Sequence, residues 1–138
     1  MKKVICLLLV AALCCSLSAC SVVDACADIY LRYFTVSGTV PTLFGKVVLE
    51  IQTDSMSPTF EPGDIIFCEK VEDPSTLRKG DIITYWTIIG GERVLNTHRI
   101  VEIYDGGDFL IFETKGDNRT DADPLTVHES EIVAVYRG

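Results

Sequence analysis

Turn-forming residues cut this chain into short pieces. Pro62-Gly63, Pro74-Ser75, Gly80-Asp81, Gly90-Gly91 and Asp105-Gly106-Gly107-Asp108 recur so closely that no helical stripe of any length survives between them. The intervals are instead rich in β-branched and aromatic residues, which suit a pleated, half-buried surface. Strands are therefore expected over 64–68, 82–88, 93–104, 109–114 and 131–136. Gly90-Gly91 and the Asp105-Gly106-Gly107-Asp108 run read as hairpin turns. Residues 71–79 read as a polar surface loop and 115–124 as a longer one. The predicted fold class is all-β, a small folded sheet or barrel.

Residues 1–34 have a different character. Lys2 and Lys3 precede an uncharged run over 4–23, which as a helix spans roughly 30 Å, enough to cross a bilayer. The two lysines favour a cytoplasmic N-terminus and place the residues beyond Asp24 outside. Three fates fit. A retained signal anchor suits the length, and a cleaved secretory signal suits the lysines and the small residues Ser16, Ser18 and Ala19. A lipoprotein signal suits Leu17-Ser18-Ala19-Cys20. All three leave the domain outside the cytoplasmic membrane. The expected organisation is a signal-anchor or transmembrane helix over 1–27, a connector over 28–45 and the all-β domain over 46–138. In the connector, Tyr30, Tyr33 and Phe34 beside Arg32 suit either an interfacial belt or a loop packed on the domain.

A formal net charge of -8 and a pI near 4.6 argue against nucleic acid as a partner, because phosphate recognition wants basic surface. Cys6, Cys14, Cys15, Cys20 and Cys26 all lie in or beside the leader, so only Cys68 belongs to the domain. A disulfide framework cannot hold it, and its fold must rest on a hydrophobic core. Cys68, in an apolar run, reads as a buried packing residue. No C-x-x-C pair with histidine partners is present, so zinc has no support, and no metal or other cofactor is expected.

The chemistry concentrates in 51–64, IQTDSMSPTFEPGD. A β-branched run of Val47, Val48, Ile51 and Thr53 leads up to Ser55, and Pro58, Pro62 and Gly63 stop it. Ser55 is expected where a strand gives way to a turn, with its hydroxyl at a sheet edge and one side open to substrate. A serine in such a place is equally an ordinary turn residue. The combination S-M-x-P-T-aromatic followed by P-G-D resembles the nucleophile box of the type I signal peptidases. The resemblance makes the serine directly before the methionine the nucleophile, which is Ser55 and not Ser57. Asp54 stands where that family usually has glycine. In this it is similar to the self-cleaving repressor proteases, whose box often reads G-D-S-M, so the box alone leaves the branch open.

A serine hydroxyl needs a base within hydrogen-bond reach. His128, beside acidic residues in a loop, reads as a surface residue. His98 lies mid-way along a predicted strand, where packing or simple exposure would also account for it. Its context, His98-Arg99-Ile100-Val101 downstream of S-M-x-P, looks like the base motif of the endoplasmic-reticulum and archaeal type of signal peptidase I. The bacterial housekeeping type and the repressor proteases carry a lysine there, and no lysine lies between Lys79 and Lys115. The resemblance therefore points to the Ser-His branch. His98 must be neutral to accept a proton, so activity is expected to fall in acid.

A catalytic histidine usually has a carboxylate to hold its tautomer. The loop after Thr114 offers Asp117, Asp121 and Asp123. T-K-G-D-N with a further Asp downstream resembles the family's third box. That likeness implies that Asp117 turns the loop and braces the site, and that Asp123 orients the base, with Asp121 as the alternative. As a plain acidic loop the same stretch could meet a stray cation, but its spacing does not match a calcium loop. For the oxyanion, the Ser55 backbone N–H is one candidate donor. Thr53, on the same strand face by period-two alternation, stands where the family usually has a serine hydroxyl.

The resemblance implies a membrane-bound serine endopeptidase with Ser55, His98 and Asp123 as its catalytic residues. It would remove signal peptides from exported preproteins after small residues, on the extracytoplasmic side of the cell membrane in a single-pass arrangement. Its partners would be signal-peptide-bearing preproteins and membrane lipid, with accessory membrane subunits as further candidates. Two rivals remain. One is a non-catalytic extracytoplasmic β-domain, a binding module in which the boxes are remnants. The other is a self-processing repressor-type protease, against which the acidic charge, the leader and the missing lysine all speak.

Overall fold

The long β-branched runs become strands of one antiparallel sheet in the computed structural model, which describes residues 40–138. The expectations for 1–27 and for Tyr30, Arg32, Tyr33 and Phe34 lie outside the described residues. The strands are β1 (Thr42–Leu43), β2 (Lys46–Glu50), β3 (Ile65–Lys70), β4 (Ile82–Ile89), β5 (Glu92–Asp105), β6 (Leu110–Lys115), β7 (Val127–His128) and β8 (Ile132–Tyr136). They lie in the order β1-β2-β3-β8-β4-β5-β6-β7. Among the described residues no helix is long and apolar enough to cross a membrane.

The β4–β5 hairpin sets the geometry of the site. Gly90 and Gly91 connect it with φ of 63° and 87°, the left-handed pair that a tight hairpin turn needs and that glycine adopts without steric penalty. That turn fixes the register, pairing Ile83 with His98 and Tyr85 with Asn96. Across β5 the register to β6 pairs Ile100 with Thr114, then slips by a residue before Ile103 meets Phe112. Residues paired across strands share a face. One face of β4–β5–β6 therefore carries apolar side chains at one end and polar ones at the other.

The apolar end is the core. Ile83, Ile100 and Phe112 are sealed from solvent and pack with Leu77, Val127, Ile132 and Val135. Tyr85 belongs to the same cluster by its ring, so its hydroxyl is carried from the core into the polar end. Cys68 is fully buried, and burial pushes its thiol up to about 11.

Two local expectations are corrected. Residues 71–79 are not wholly a surface loop: Leu77 is buried in the core cluster. Asp73 caps a 3-10 turn over Pro74–Thr76 by accepting from the Ser75 N–H at 2.9 Å, and that turn swings Leu77 inward. The strand expected to run up to Ser55 stops at Glu50. Beyond it, the Ile51 N–H donates to Asp64 O at 2.8 Å and the Gly63 N–H donates to Ile51 O at 2.7 Å. These bonds pinch residues 52–62 into a closed loop.

Candidate active site

Within the pinched loop, Ser55 sits in a 3-10 turn, Asp54–Met56. Met56 and Phe60, both buried, fasten the loop to the domain, and the Phe60 ring meets Tyr136 edge-on at 4.9 Å between centroids. The first bond of the turn runs from the Ser57 N–H to Asp54 O at 3.0 Å. The Ser55 N–H thus has no partner inside the turn, as is usual at a helical start. Ser55 itself is 9% exposed.

The turn presents its hydroxyl to β5. Ser55 Oγ lies 3.0 Å from His98 Nε2, and His98 Nδ1 lies 2.6 Å from Asp123 Oδ2. Thr53 Oγ1 is 3.2 Å from Ser55 Oγ. The shared strand face expected for Thr53 and Ser55 is not what joins them, because neither lies on a strand; the curl of the turn does so. Of the two carboxylates considered as partners of the base, Asp123 reaches the imidazole. Asp121 is exposed and accepts from the Thr120 hydroxyl at 3.0 Å. His128 is exposed, with Nδ1 2.9 Å from the Ser130 hydroxyl. Asp54 is exposed, with Oδ1 3.7 Å from an Arg119 guanidinium nitrogen.

Asp117 holds the loop rather than the base. It accepts from Arg99 Nε at 2.8 Å and Nη2 at 2.6 Å, and also from the Thr59 hydroxyl. One carboxylate thus ties the acidic loop both to β5 and to the nucleophile loop. The Arg99 guanidinium, chiefly, holds the Asp117 carboxyl below the ordinary carboxylate range. The Asn118 N–H adds a bond to Ser55 O at 2.9 Å. Gly116 makes the closest approach: a Cβ there would lie 2.5 Å from Ser55 O and 3.2 Å from His98 Nε2. Only a residue without a side chain lets the two loops meet.

Burial would push the Asp123 carboxyl up, but hydrogen bonds from His98, Thr114 and Tyr85 outweigh it, and the group sits below its ordinary value. Being ionised it can only accept, so the proton between it and the ring belongs to Nδ1. Nε2 is then left as the acceptor for the Ser55 O–H. An open cleft of about 540 Å³ runs past these groups, lined also by Thr87, Ile88, Ile89, Arg119, Thr120, Ala122, Pro124 and Leu125. Among the described residues no group of three His, Cys, Asp or Glu side chains is placed to hold a metal ion.

Sequence reasoning missed Tyr85, Asn96, Thr114, Gly116 and Asn118. Asn96 carried a signal, since it lies two residues from His98 on one strand and so shares its face. Tyr85 looks like an ordinary strand residue and carried none, while Thr114 and Asn118 stood at the two ends of the T-K-G-D-N box with no role assigned to them. Gly116 lay inside the recognised T-K-G-D-N box, where its role as a contact surface was not apparent.

A hydroxyl, an imidazole and a carboxylate in relay beside an open cleft are what a serine hydrolase needs to make and transfer a nucleophile. No protein-family model matches the chain. Over 102 residues it is 38% identical to Signal peptidase I W of Bacillus subtilis (strain 168), covering 74% of this chain and 52% of that protein. The chain is a relative of the type I signal peptidases. It spans about half the length of the curated relative it matches.

Proposed function

We propose that this protein is a serine endopeptidase that removes N-terminal signal peptides from exported preproteins, cutting after small residues. The observation that carries the reading is the Ser55–His98–Asp123 relay, with separations of 3.0 Å and 2.6 Å, in a relative of signal peptidase I. In this reading His98 Nε2 takes the hydroxyl proton as Ser55 Oγ bonds to the scissile carbonyl carbon. The Nδ1–H bond to Asp123 stabilises the imidazolium that forms. Thr53 Oγ1 and the Ser55 N–H donate to the oxyanion. The imidazolium then protonates the leaving amine as the C–N bond breaks, leaving an acyl group on Ser55. Water, deprotonated by His98, releases the signal peptide and restores the serine.

The uncharged run over 4–23 supports a membrane-bound enzyme. The lysines before it support a single pass, with the peptidase domain on the extracytoplasmic side. Anchoring would bring the cleft close to membrane lipid, where the hydrophobic part of a substrate also lies. Accessory membrane subunits would then find the domain at the same surface.

The test is cleavage of a model preprotein by the full chain in detergent, wild type beside Ser55→Ala, with products mapped by mass spectrometry. The expected result is one cut after a small residue that is lost in the variant. A cut that persists in Ser55→Ala rejects the nucleophile, and no cut by a folded wild-type protein favours a binding module.

A further inference from the structure

The Asp123 carboxylate has more donors than a relay requires. His98 Nδ1 and Thr114 Oγ1 each lie 2.6 Å from its Oδ2, and Tyr85 Oη lies 3.2 Å from the same oxygen. Tyr85 Oη is also 3.0 Å from Thr114 Oγ1 and 3.0 Å from Asn96 Nδ2.

Counting protons gives this cluster a direction. An amide nitrogen only donates, so Asn96 gives one of its two protons to Tyr85 Oη. Thr114 has one hydroxyl proton, and its short contact directs that proton to Asp123. The Tyr85 proton can then go only towards Asp123 or onto the Thr114 oxygen. The hydroxyl protons of Tyr85 and Thr114 therefore both run towards Asp123 Oδ2, on the far side from the proton that arrives from His98, while Asn96 Nδ2 also lies 3.3 Å from His98 Nδ1. Tyr85 is 3% exposed and Thr114 is sealed from solvent, so both donors are held by the protein interior. Burial above all raises the Tyr85 phenol to about 12, which leaves it a donor across the neutral range.

We propose that Tyr85, held by Asn96, is a positioning residue that fixes Asp123 Oδ2 against His98 Nδ1 and so keeps Nε2 aimed at Ser55. The β4–β5 register makes this possible, because it places Tyr85 opposite Asn96 and one alternate residue along from His98. Other charged groups at the cleft, Arg119 and Asp121, have no hydrogen bond to this cluster among the described residues. A phenylalanine at position 85 would keep the core packing and remove only the hydroxyl.

This inference rests on the peptidase reading, and its test separates the two. In the full chain in detergent, Tyr85→Phe should lower kcat about tenfold, the cost of losing one bond to a charged acceptor, with KM little changed. With one donor gone, Asp123 holds the imidazolium more strongly, so the acid limb of the pH–rate profile should move to higher pH. In an Asp123→Asn background the Tyr85→Phe effect should vanish, since both changes act through one carboxylate. Asn96→Ala, on the cleft wall, should act in the same direction but less, and it serves if Tyr85→Phe fails to fold. Unchanged kcat and pH profile in both single variants, or losses that persist in the Asp123→Asn background, would overturn the assignment. If the wild type does not cut, the peptidase reading fails, and proton NMR of the His98 ring decides this one. A slowly exchanging low-field Nδ1–H that is altered in Tyr85→Phe supports the assignment, and one that is unaltered rejects it.

Discussion

His98 and its two partners, Ser55 and Asp123, are held by different kinds of structure. His98 stands in the middle of the longest strand, laddered to β4 on one side, with β6 joining just beyond it at Arg99. Ser55 and Asp123 stand on loops. Each loop is fixed by a few bonds: the pinch at Ile51, the Asp123 N–H to Thr114 O at 2.8 Å, the Asn118 N–H to Ser55 O and the Arg99–Asp117–Thr59 tie. A ladder shares its load over many hydrogen bonds, whereas a loop contact can be cut by one substitution. His98 should therefore keep its place in variants that misplace Ser55.

His98→Ala should lower cleavage by about 10⁴-fold, the scale seen when a relay loses its base, with an unchanged far-UV spectrum because the β5 ladder does not depend on the imidazole. Activity retained in that variant would sink the base assignment. Gly116→Ala should cost about 10²-fold in kcat, since its Cβ must displace Ser55 O and misplacement by an ångström has effects of that size. Here too the sheet should be intact, and a fully active variant would show that the two loops do not hold each other as described.

Asp117→Asn should be milder. It removes a two-pronged ion pair that is largely shielded from solvent, worth about 1 kcal/mol. It should also speed amide exchange at Asn118 and Asp123 while leaving the β4–β5 amides unchanged. Equal loosening of strand and loop would erase the contrast. The smallest effect is that of pH on stability. Asp117 and Asp123 both sit below the ordinary carboxylate range when folded, so on acidification the unfolded chain takes up their protons first. Their contribution is complete above about pH 5 and is lost as pH falls through the folded-state values. The urea midpoint should be flat from neutral pH to that point and then decline, less steeply in Asp117→Asn.

The same contrast explains what could be read in advance. β3, β4, β5, β6 and β8 were legible because glycine and proline turns bound them and β-branched residues fill them. β1 and β7, each two residues long, are too short to carry a periodic signal and exist only through their neighbours. The family resemblance favours Asp123 and keeps Asp121 as the alternative, because two acidic residues two positions apart are alike in sequence; the loop conformation brings Asp123 to His98. Ser55 was located, but the pinch at Ile51 that makes its turn joins residues whose pairing no local pattern announces. Tyr85 was invisible for a different reason. Its ring does the ordinary work of a core residue, and only the tertiary structure reveals where its hydroxyl ends.

The sheet order has a consequence for how the site comes together. Among the described residues, β8 is inserted between β3 and β4 and is the sole ladder joining β1–β3, which flank Ser55, to β4–β7, which bear His98. On the ribosome, both halves of the site are synthesised well before this strand emerges. Until it does, no backbone ladder connects them. A chain cut short before Ile132 would carry Ser55, His98 and Asp123 and could still pair His98 with Asp123, but no ladder would join the strands beside Ser55 to the strand that bears His98.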